Sequence, residues 1–157
     1  MSPGFGQVIL ELVDEPEHII VAGHGPPECQ EPVRFQKQYP RARIHCFEPQ
    51  PDFYTGCVER YKDVVTIEMY PYALGDSMRT SRLYVSNDPG WSSLKPFDNH
   101  RGIEDVDVVT VDWFCDTQDI DHLGLLFLDT QATEHEILAG AAEMLYHGLV
   151  DVIACEA

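Results

Sequence analysis

Short apolar runs, separated by glycine, proline and charged positions, recur along this chain of 157 residues. Runs such as 19–22 and 123–128 have the length and β-branched or aliphatic content of buried strands. Phe35 and Tyr39 are four residues apart and can share one face of a helix that Pro40 ends. Strands that alternate with helices indicate an α/β domain whose sheet is mostly parallel and has helices on both faces.

The pattern places a definite series of elements along the chain. The predicted strands are 19–22, 44–47, 64–69, 82–85, 106–111, 123–128 and 150–155. The first predicted helix follows the diproline at 26–27, the second starts within 49–51 and runs to about residue 61, and the third covers 133–146. Residues 7–13 fit either a helix or a strand. Thr133 to Glu136 predicts a capping box at the start of the last helix. We expect one domain over residues 1–157, with a tight turn at 87–90 and a polar loop up to Gly102.

A strand, a glycine turn, a helix and a second strand occupy residues 18–49. Gly23-His24-Gly25 follows the first strand, and Glu48 ends the second. Parallel strands end at the same edge of a sheet, where glycines let a ligand approach the backbone and a carboxylate can accept both ribose hydroxyls. This pattern predicts a nucleoside pocket. The alternative is a tight turn beside a solvated strand end, because Glu28 stands where the third glycine of G-x-G-x-x-G would be.

Acidic residues also end or follow other strands, at Asp112, Asp129 and Glu156. Carboxylates at one sheet edge repel each other, and a cationic ligand there would relieve the repulsion. The alternative is that a chain with 27 acidic and 10 basic residues places acids at solvent-exposed strand ends without any ligand. The net charge of −17 opposes nucleic acid or an anionic membrane as a partner.

The remaining composition favours a cytoplasmic globular protein. Apolar residues make up 44% of the chain, no run is long enough to span a membrane, and the N-terminus lacks a signal-peptide pattern. The five cysteines are odd in number and contain no C-x-x-C, which suits reduced thiols. No metal site is expected, since the candidate ligands lack zinc-ligand spacing: His24, His45, Cys46, His100 and Cys115.

Several segments together resemble one known family, the FkbM-type S-adenosylmethionine-dependent methyltransferases. They are FEPQPDFY (47–54), YALGD (72–76), LYVSNDPGWSSL (83–94), VTVDWF (109–114), LLFLDTQATEHEILAGA (125–141) and VIACE (152–156). The resemblance covers about residues 18–156. It implies a Rossmann-like class I methyltransferase fold that ends after its fifth main strand. It also implies S-adenosyl-L-methionine as cofactor and O-methyl transfer to a hydroxyl of a small molecule, sugar or secondary metabolite.

The resemblance also implies roles for individual residues. Gly23 and Gly25 would line the methionine part of the cofactor, and Glu48 would bind the ribose hydroxyls. His24 and Pro49, next to these residues, are also expected to bind the cofactor. Ala73 and Leu74 would lie along the adenine. For catalysis, Asp129 would orient or deprotonate the acceptor hydroxyl, supported by Glu134. The weaker candidates for the base are His24, His100 and His135.

Two other functions stay open at this point. The first is a degenerate relative that keeps the fold as a binding or scaffold module, because Val21 replaces the acid that this family usually has at the end of its first strand. The second is an NAD-binding domain, which Glu28 and Glu31 disfavour by repelling a pyrophosphate at the helix N-terminus. If the sheet ends at 150–155, its edge predicts a covering partner such as a second copy of the chain.

Overall fold

The computed structural model describes residues 9, 11–26, 28 and 30–155. Its strands are β1 (His18–Ala22), β2 (Arg43–Phe47), β3 (Ile67–Tyr70), β4 (Ala73–Leu74), β5 (Arg79–Val85), β6 (Gly102–Val109), β7 (Leu123–Leu128) and β8 (Val150–Cys155). Its helices are α1 (Glu31–Gln38), α2 (Pro51–Tyr61), α3 (Val111–Thr117), α4 (Glu134–Ala139) and α5 (Ala142–Tyr146). The predictions for Pro27, Cys29 and Glu156 concern residues outside this described part.

The main sheet is parallel throughout and has the strand order β3-β2-β1-β7-β8. The central strand β1 and its neighbour β7 are buried along nearly their whole length, which explains their continuous apolar sequences. A second sheet has the order β4-β6-β5, with β5 antiparallel to β6. The expected α/β fold with a mostly parallel sheet is confirmed.

Helices cover both faces of the main sheet, because successive side chains of a strand point to opposite sides. Ile19 and Val21 pack in the core that α1 and α2 cover, together with Phe35 and Tyr61. Their neighbours in β1, Ile20 and Ala22, belong to the other core, which α3, α4 and α5 cover. This arrangement leaves the carboxyl ends of β1, β2 and β7 at one edge.

The segment after β6 corrects the prediction of a strand over 106–111. The strand begins earlier, at Gly102, and ends at Val109, and α3 starts at Val111. The Thr110 side chain accepts a hydrogen bond from the backbone N–H of Trp113 at 3.1 Å, which caps the helix. Asp112 then accepts backbone N–H groups from α5. The alternation of apolar and polar residues continues as far as Val111, although Thr110 ends the strand and caps α3.

The predicted helix at 133–146 is two short helices, and its capping box is wrong. Thr133 hydrogen-bonds to Thr130 rather than to its own helix, and Glu136 pairs with Lys95 and His135. The break falls at Gly140, where an added Cβ would lie 2.0 Å from the carbonyl oxygen of Gly75. Only glycine allows the backbones to come so close.

Other boundaries differ by a few residues: β3 starts at Ile67 and β5 at Arg79. For residues 7–13 the sequence favoured neither a helix nor a strand. Residues 9, 11 and 12 are helical, and residues 7, 8 and 10 lie outside the described part of the chain. None of the helices in the described ranges is both long and apolar enough to cross a membrane. Ile153 on β8 is 41% exposed, and the partner expected at this sheet edge remains a prediction.

Candidate active site

The glycine turn after β1 lies against the ends of both neighbouring strands. β1 pairs with β2 in parallel, with Ala22 opposite Phe47, so the first two strands do lie side by side. The backbone N–H groups of Gly23 and His24 both donate to the Phe47 carbonyl, at 3.2 and 3.3 Å. Gly23 has a φ of 76°, and an added Cβ would lie 1.9 Å from the Asp129 carbonyl oxygen. The turn therefore requires glycine, because the backbone of Asp129 at the end of β7 lies directly against it.

Glu48 is a buried acid that holds this turn to the end of β2. Only 4% of the residue is exposed. Its Oε2 accepts the N–H of Gly25 at 2.7 Å, and its Oε1 accepts the N–H of Gln50 at 2.8 Å. Burial raises the pKa of Glu48 to about 7, although these two hydrogen bonds oppose the rise. Each carboxylate oxygen keeps a lone pair for a further donor such as a ligand hydroxyl.

A narrow cleft of about 50 Å³ opens at this edge. All the predicted site residues except His24 and Glu134 line it: Gly23, Gly25, Glu48, Pro49, Ala73, Leu74 and Asp129. The sequence analysis missed the rest of the wall, which comes from Gln50, Phe53 and Tyr72 and from a segment that folds over the top, including Gly90, Ser92, Ser93 and Leu94.

His24 lies in the turn, but its side chain is not part of the cleft wall. The Tyr61 hydroxyl and the His24 Nε2 are 2.9 Å apart, and the ring Nδ1 is 3.3 Å from the Gly25 carbonyl oxygen and 3.6 Å from the Cys57 sulfur. Burial lowers the pKa of His24, so the neutral imidazole anchors the turn from below. The imidazole of His24 is therefore directed to Tyr61 and Cys57, and the expected contact of this residue with a cofactor remains a prediction.

The other two candidate bases also lie away from the cleft. The side chain of His135 is 77% exposed and pairs with Glu136. His100 packs edge-on against Tyr84 and Phe97. Among the candidates for a proton acceptor, Asp129 is the one that lines the cleft.

Asp129 is held by its neighbours on two sides. Its backbone N–H donates to the carbonyl of Ala22 in β1 at 3.0 Å, and its Oδ1 accepts the side-chain amide of Gln131 at 3.0 Å. Glu134 accepts the backbone N–H and the hydroxyl of Thr130, at 2.9 and 3.1 Å. Glu134 therefore shapes the segment that follows Asp129 and does not face the cleft itself.

Gln50 is the most informative residue that the sequence analysis missed. It is 1% exposed, and its Oε1 accepts the hydroxyl of Ser92 at 2.9 Å. Its Nε2 is buried without a hydrogen-bond partner among the described residues. A buried unpaired amide costs about 1–3 kcal/mol, so this atom is suited to a ligand acceptor. Its sequence signals were its position two residues after Glu48 and its place in the segment FEPQPDFY (47–54).

Comparison with known proteins identifies the family. The family model described as the methyltransferase FkbM domain matches residues 27–157, which is most of the chain. The chain belongs to the FkbM methyltransferase family. This FkbM-family chain is similar to the 2-O-methyltransferase NoeI of Sinorhizobium fredii, with 24% identity over 153 residues that cover 87% of the chain. It spans 63% of that relative's length.

A solved structure supports the fold of this FkbM-family chain. The crystal structure of methyltransferase FkbM from Methylobacillus flagellatus matches with a TM-score of 0.55 and 17% identity. The match covers 85% of this chain and 31% of that one. At this level of identity the likeness shows the fold alone.

Proposed function

We propose that this FkbM-family chain is an S-adenosylmethionine-dependent O-methyltransferase domain that acts on a hydroxyl of a small molecule. The observation that carries the proposal is the cleft itself. A buried acid at the end of β2 and a second acid at the end of β7 line one cleft, at the edge where open α/β folds bind ligands. The free cysteines of the described part, Cys46, Cys57, Cys115 and Cys155, suit the cytoplasm as the location.

The side chains of the cleft fit the cofactor chemically. Glu48 would accept the ribose hydroxyls, and the unpaired Nε2 of Gln50 would gain an acceptor. The apolar Ala73 and Leu74 suit an adenine ring, and the glycine turn suits the methionine part. The bound cofactor supplies a methyl group on a positively charged sulfur, and the acidic wall of the cleft favours that charge.

The width of the cleft sets a condition on binding. Its volume of about 50 Å³ is far below the roughly 300 Å³ at which small-molecule pockets begin. The segment with Gly90 and Ser92 covers the cleft and is fastened to Gln50 by the serine hydroxyl. We therefore expect that binding of a nucleoside requires this segment to move outward and to exchange that hydrogen bond for one to the ligand.

Asp129 is the proposed catalytic residue. Gln131 holds its carboxylate, and the glycine turn fixes its backbone, so the group is positioned before an acceptor arrives. It would orient the acceptor hydroxyl and take its proton as the oxygen bonds the methyl carbon and the carbon–sulfur bond breaks. Glu134 is a positioning residue for the same segment.

The narrow cleft also favours a second function, in which the chain keeps the fold as a binding or scaffold module and does not turn over cofactor. Isothermal titration with S-adenosylhomocysteine separates the two. A saturable heat with a dissociation constant in the micromolar range supports the methyltransferase. The absence of any heat at millimolar ligand contradicts it and leaves the scaffold.

A further inference from the structure

The segment that covers the cofactor cleft carries two consecutive serines with different partners. The Ser92 hydroxyl donates to the Gln50 side chain at 2.9 Å, and the Ser93 hydroxyl donates to the Gln131 backbone carbonyl at 2.7 Å. Gln50 lines the cofactor cleft, whereas Gln131 lies two residues after the proposed catalytic acid, Asp129. The segment therefore contacts the cofactor side of the site through one serine and the catalytic side through the next.

Ser93 is fixed by several hydrogen bonds besides the one to Gln131. The residue is 6% exposed. Its backbone N–H donates to the Tyr84 carbonyl at 3.1 Å, and its carbonyl accepts the Tyr84 N–H at 2.8 Å, which joins it to β5. Its hydroxyl also accepts the backbone N–H of Lys95 at 3.0 Å. Ser93 is therefore a fixed end of the covering segment.

The residues before Ser93 are packed less tightly. Trp91 is 64% exposed. Gly90 has a φ of 84°, and a Cβ added there would meet no atom closer than 3.6 Å. Ser92 is held by its hydroxyl, which bonds the Gln50 side chain and the backbone N–H of Ser86. A movement of residues 90–92 can therefore widen the cleft while Ser93 stays in place.

The turn that Ser93 contacts is strained. Gln131 and Ala132 have φ of 55° and 78°, in the left-handed region that is unfavourable for residues with a side chain. Such strain persists only where neighbouring contacts fix it, and the Ser93 hydroxyl supplies one of these contacts. The side-chain amide of Gln131 donates to Oδ1 of Asp129 at 3.0 Å. Without the Ser93 hydroxyl the turn can relax, and the amide then leaves the carboxylate.

We infer that Ser93 is a positioning residue for Asp129. It acts through Gln131, because it holds the strained turn whose amide orients the carboxylate. It keeps this hold while residues 90–92 move to admit the cofactor, so the carboxylate is oriented whether or not the cofactor has entered. The inference rests on the proposed function, in which Asp129 takes the proton of the acceptor hydroxyl.

The side-chain amide of Gln131 reports this positioning in NMR spectra of the full chain. Gln131→Met assigns its two proton signals, because they disappear in this variant. In the unaltered protein we expect the proton bonded to Asp129 to exchange slowly with water. Ser93→Ala should speed that exchange about tenfold or more, as the loss of one ordinary hydrogen bond does. Fast exchange in the unaltered protein, or equal exchange in Ser93→Ala, overturns the inference.

Two further variants separate this role from a general effect on the loop. Ser86→Ala is the matched control, because the Ser86 hydroxyl accepts the N–H of Asp88 at 3.0 Å just as Ser93 accepts that of Lys95. It should leave the exchange of the Gln131 amide unchanged. Ser93→Thr keeps the hydroxyl and should restore slow exchange. An equal effect of Ser86→Ala, or no recovery with threonine, assigns the change to loop folding and overturns the inference.

Addition of S-adenosylhomocysteine to the unaltered protein tests the fixed end without any variant. We expect the signals of the Gln50 side chain and of the Ser92 backbone amide to shift, while the Gln131 amide keeps its slow exchange. Fast exchange of that amide in the complex overturns the inference. If the ligand does not bind, the methyltransferase proposal fails, and the comparison of Ser93→Ala with Ser86→Ala still decides the positioning role.

Discussion

The substitution Glu48→Gln tests the cofactor cleft most directly. The carboxylate is 4% exposed and accepts two backbone N–H groups. An amide keeps its shape but presents one acceptor oxygen where the acid has two, and it removes the charge. Because a hydrogen bond to a charged group contributes about 1.5–3 kcal/mol, binding of S-adenosylhomocysteine should weaken by about 1–3 kcal/mol. That corresponds to roughly 5- to 150-fold in the dissociation constant.

The same substitution has a signature in the pH dependence of binding. The pKa of Glu48 is about 7 in the folded protein because the group is buried. Ribose hydroxyls donate to the ionised form, so a proton competes with the ligand below that pH. Affinity of the unaltered protein should fall as the pH drops below about 7, approaching tenfold per unit, and should level off above it. The Glu48→Gln profile should be flat over the same range.

Stability gives a second signature with a definite sign. The ordinary pKa of 4.5 rises to about 7 on folding, so the folded state binds the proton more tightly than the unfolded chain does. The contribution of Glu48 is favourable at low pH and is lost as the pH rises from 4.5 to about 7, by about 3 kcal/mol. Subtracting the unfolding free energies of the variant from those of the unaltered protein isolates this slope.

Titration calorimetry at about pH 6 and about pH 8 measures the affinity for S-adenosylhomocysteine and its pH dependence. Urea unfolding across the acidic range measures the free energy of unfolding. Glu59→Gln is the matched control, since its side chain is 73% exposed on α2 and pairs with Lys62. Unchanged affinity and an unchanged pH profile in the Glu48 variant would refute the reasoning and move the ribose elsewhere.

Three further substitutions test separate parts of the structure. Asp129→Asn keeps an oxygen that accepts the Gln131 amide, but the asparagine amide cannot take a proton from a hydroxyl. It should slow transfer of radiolabelled methyl to an acceptor hydroxyl by about 100-fold or more, while cofactor affinity in calorimetry stays unchanged. An unchanged rate excludes Asp129 as the base. Gly23→Ala should cost more than about 3 kcal/mol in urea unfolding, because its Cβ would strike the Asp129 carbonyl. Gly148→Ala also has positive φ but meets nothing within 4 Å and should cost only about 1 kcal/mol; equal costs would contradict the clash. Burial lowers the pKa of His45 from 6.5 to about 4, so its contribution to stability is lost as the pH falls from 6.5 to 4. His45→Gln should therefore reduce the loss of unfolding free energy over this pH range by about 3 kcal/mol. An unchanged pH dependence would show that His45 does not titrate there.

The elements that the sequence predicted well are those encoded by local periodicity. The runs that became β1, β2 and β7 each had a burial pattern readable within six residues. The missed helix α3 shows the limit of that reading. Apolar alternation runs on through Val111, and the helix depends on the cap at Thr110 and on Asp112, which binds backbone groups of α5 about thirty residues away.

The residues of the site also fall into those that a single segment predicts and those that depend on distant segments. The glycine turn and Glu48 were predictable because a strand end, a turn and an acid follow each other within one short segment. The cover of the cleft was not, because it depends on Ser92 reaching Gln50 across 42 positions of sequence. The orientation of His24 depends on Tyr61, 37 positions away.

Sequence alone therefore determined that the chain is an α/β domain, that a glycine turn follows its first strand, and that Glu48 and Asp129 follow β2 and β7. Those features follow from backbone preferences and burial patterns within single elements, which act over a few residues. Tertiary structure decided that the cleft is narrow, and that Gln50 lines it with a buried amide nitrogen that has no hydrogen-bond partner among the described residues. It also decided that Ser92 is hydrogen-bonded to Gln50. Such features depend on side chains from distant segments meeting in space, and that meeting is decided by the packing of the whole chain.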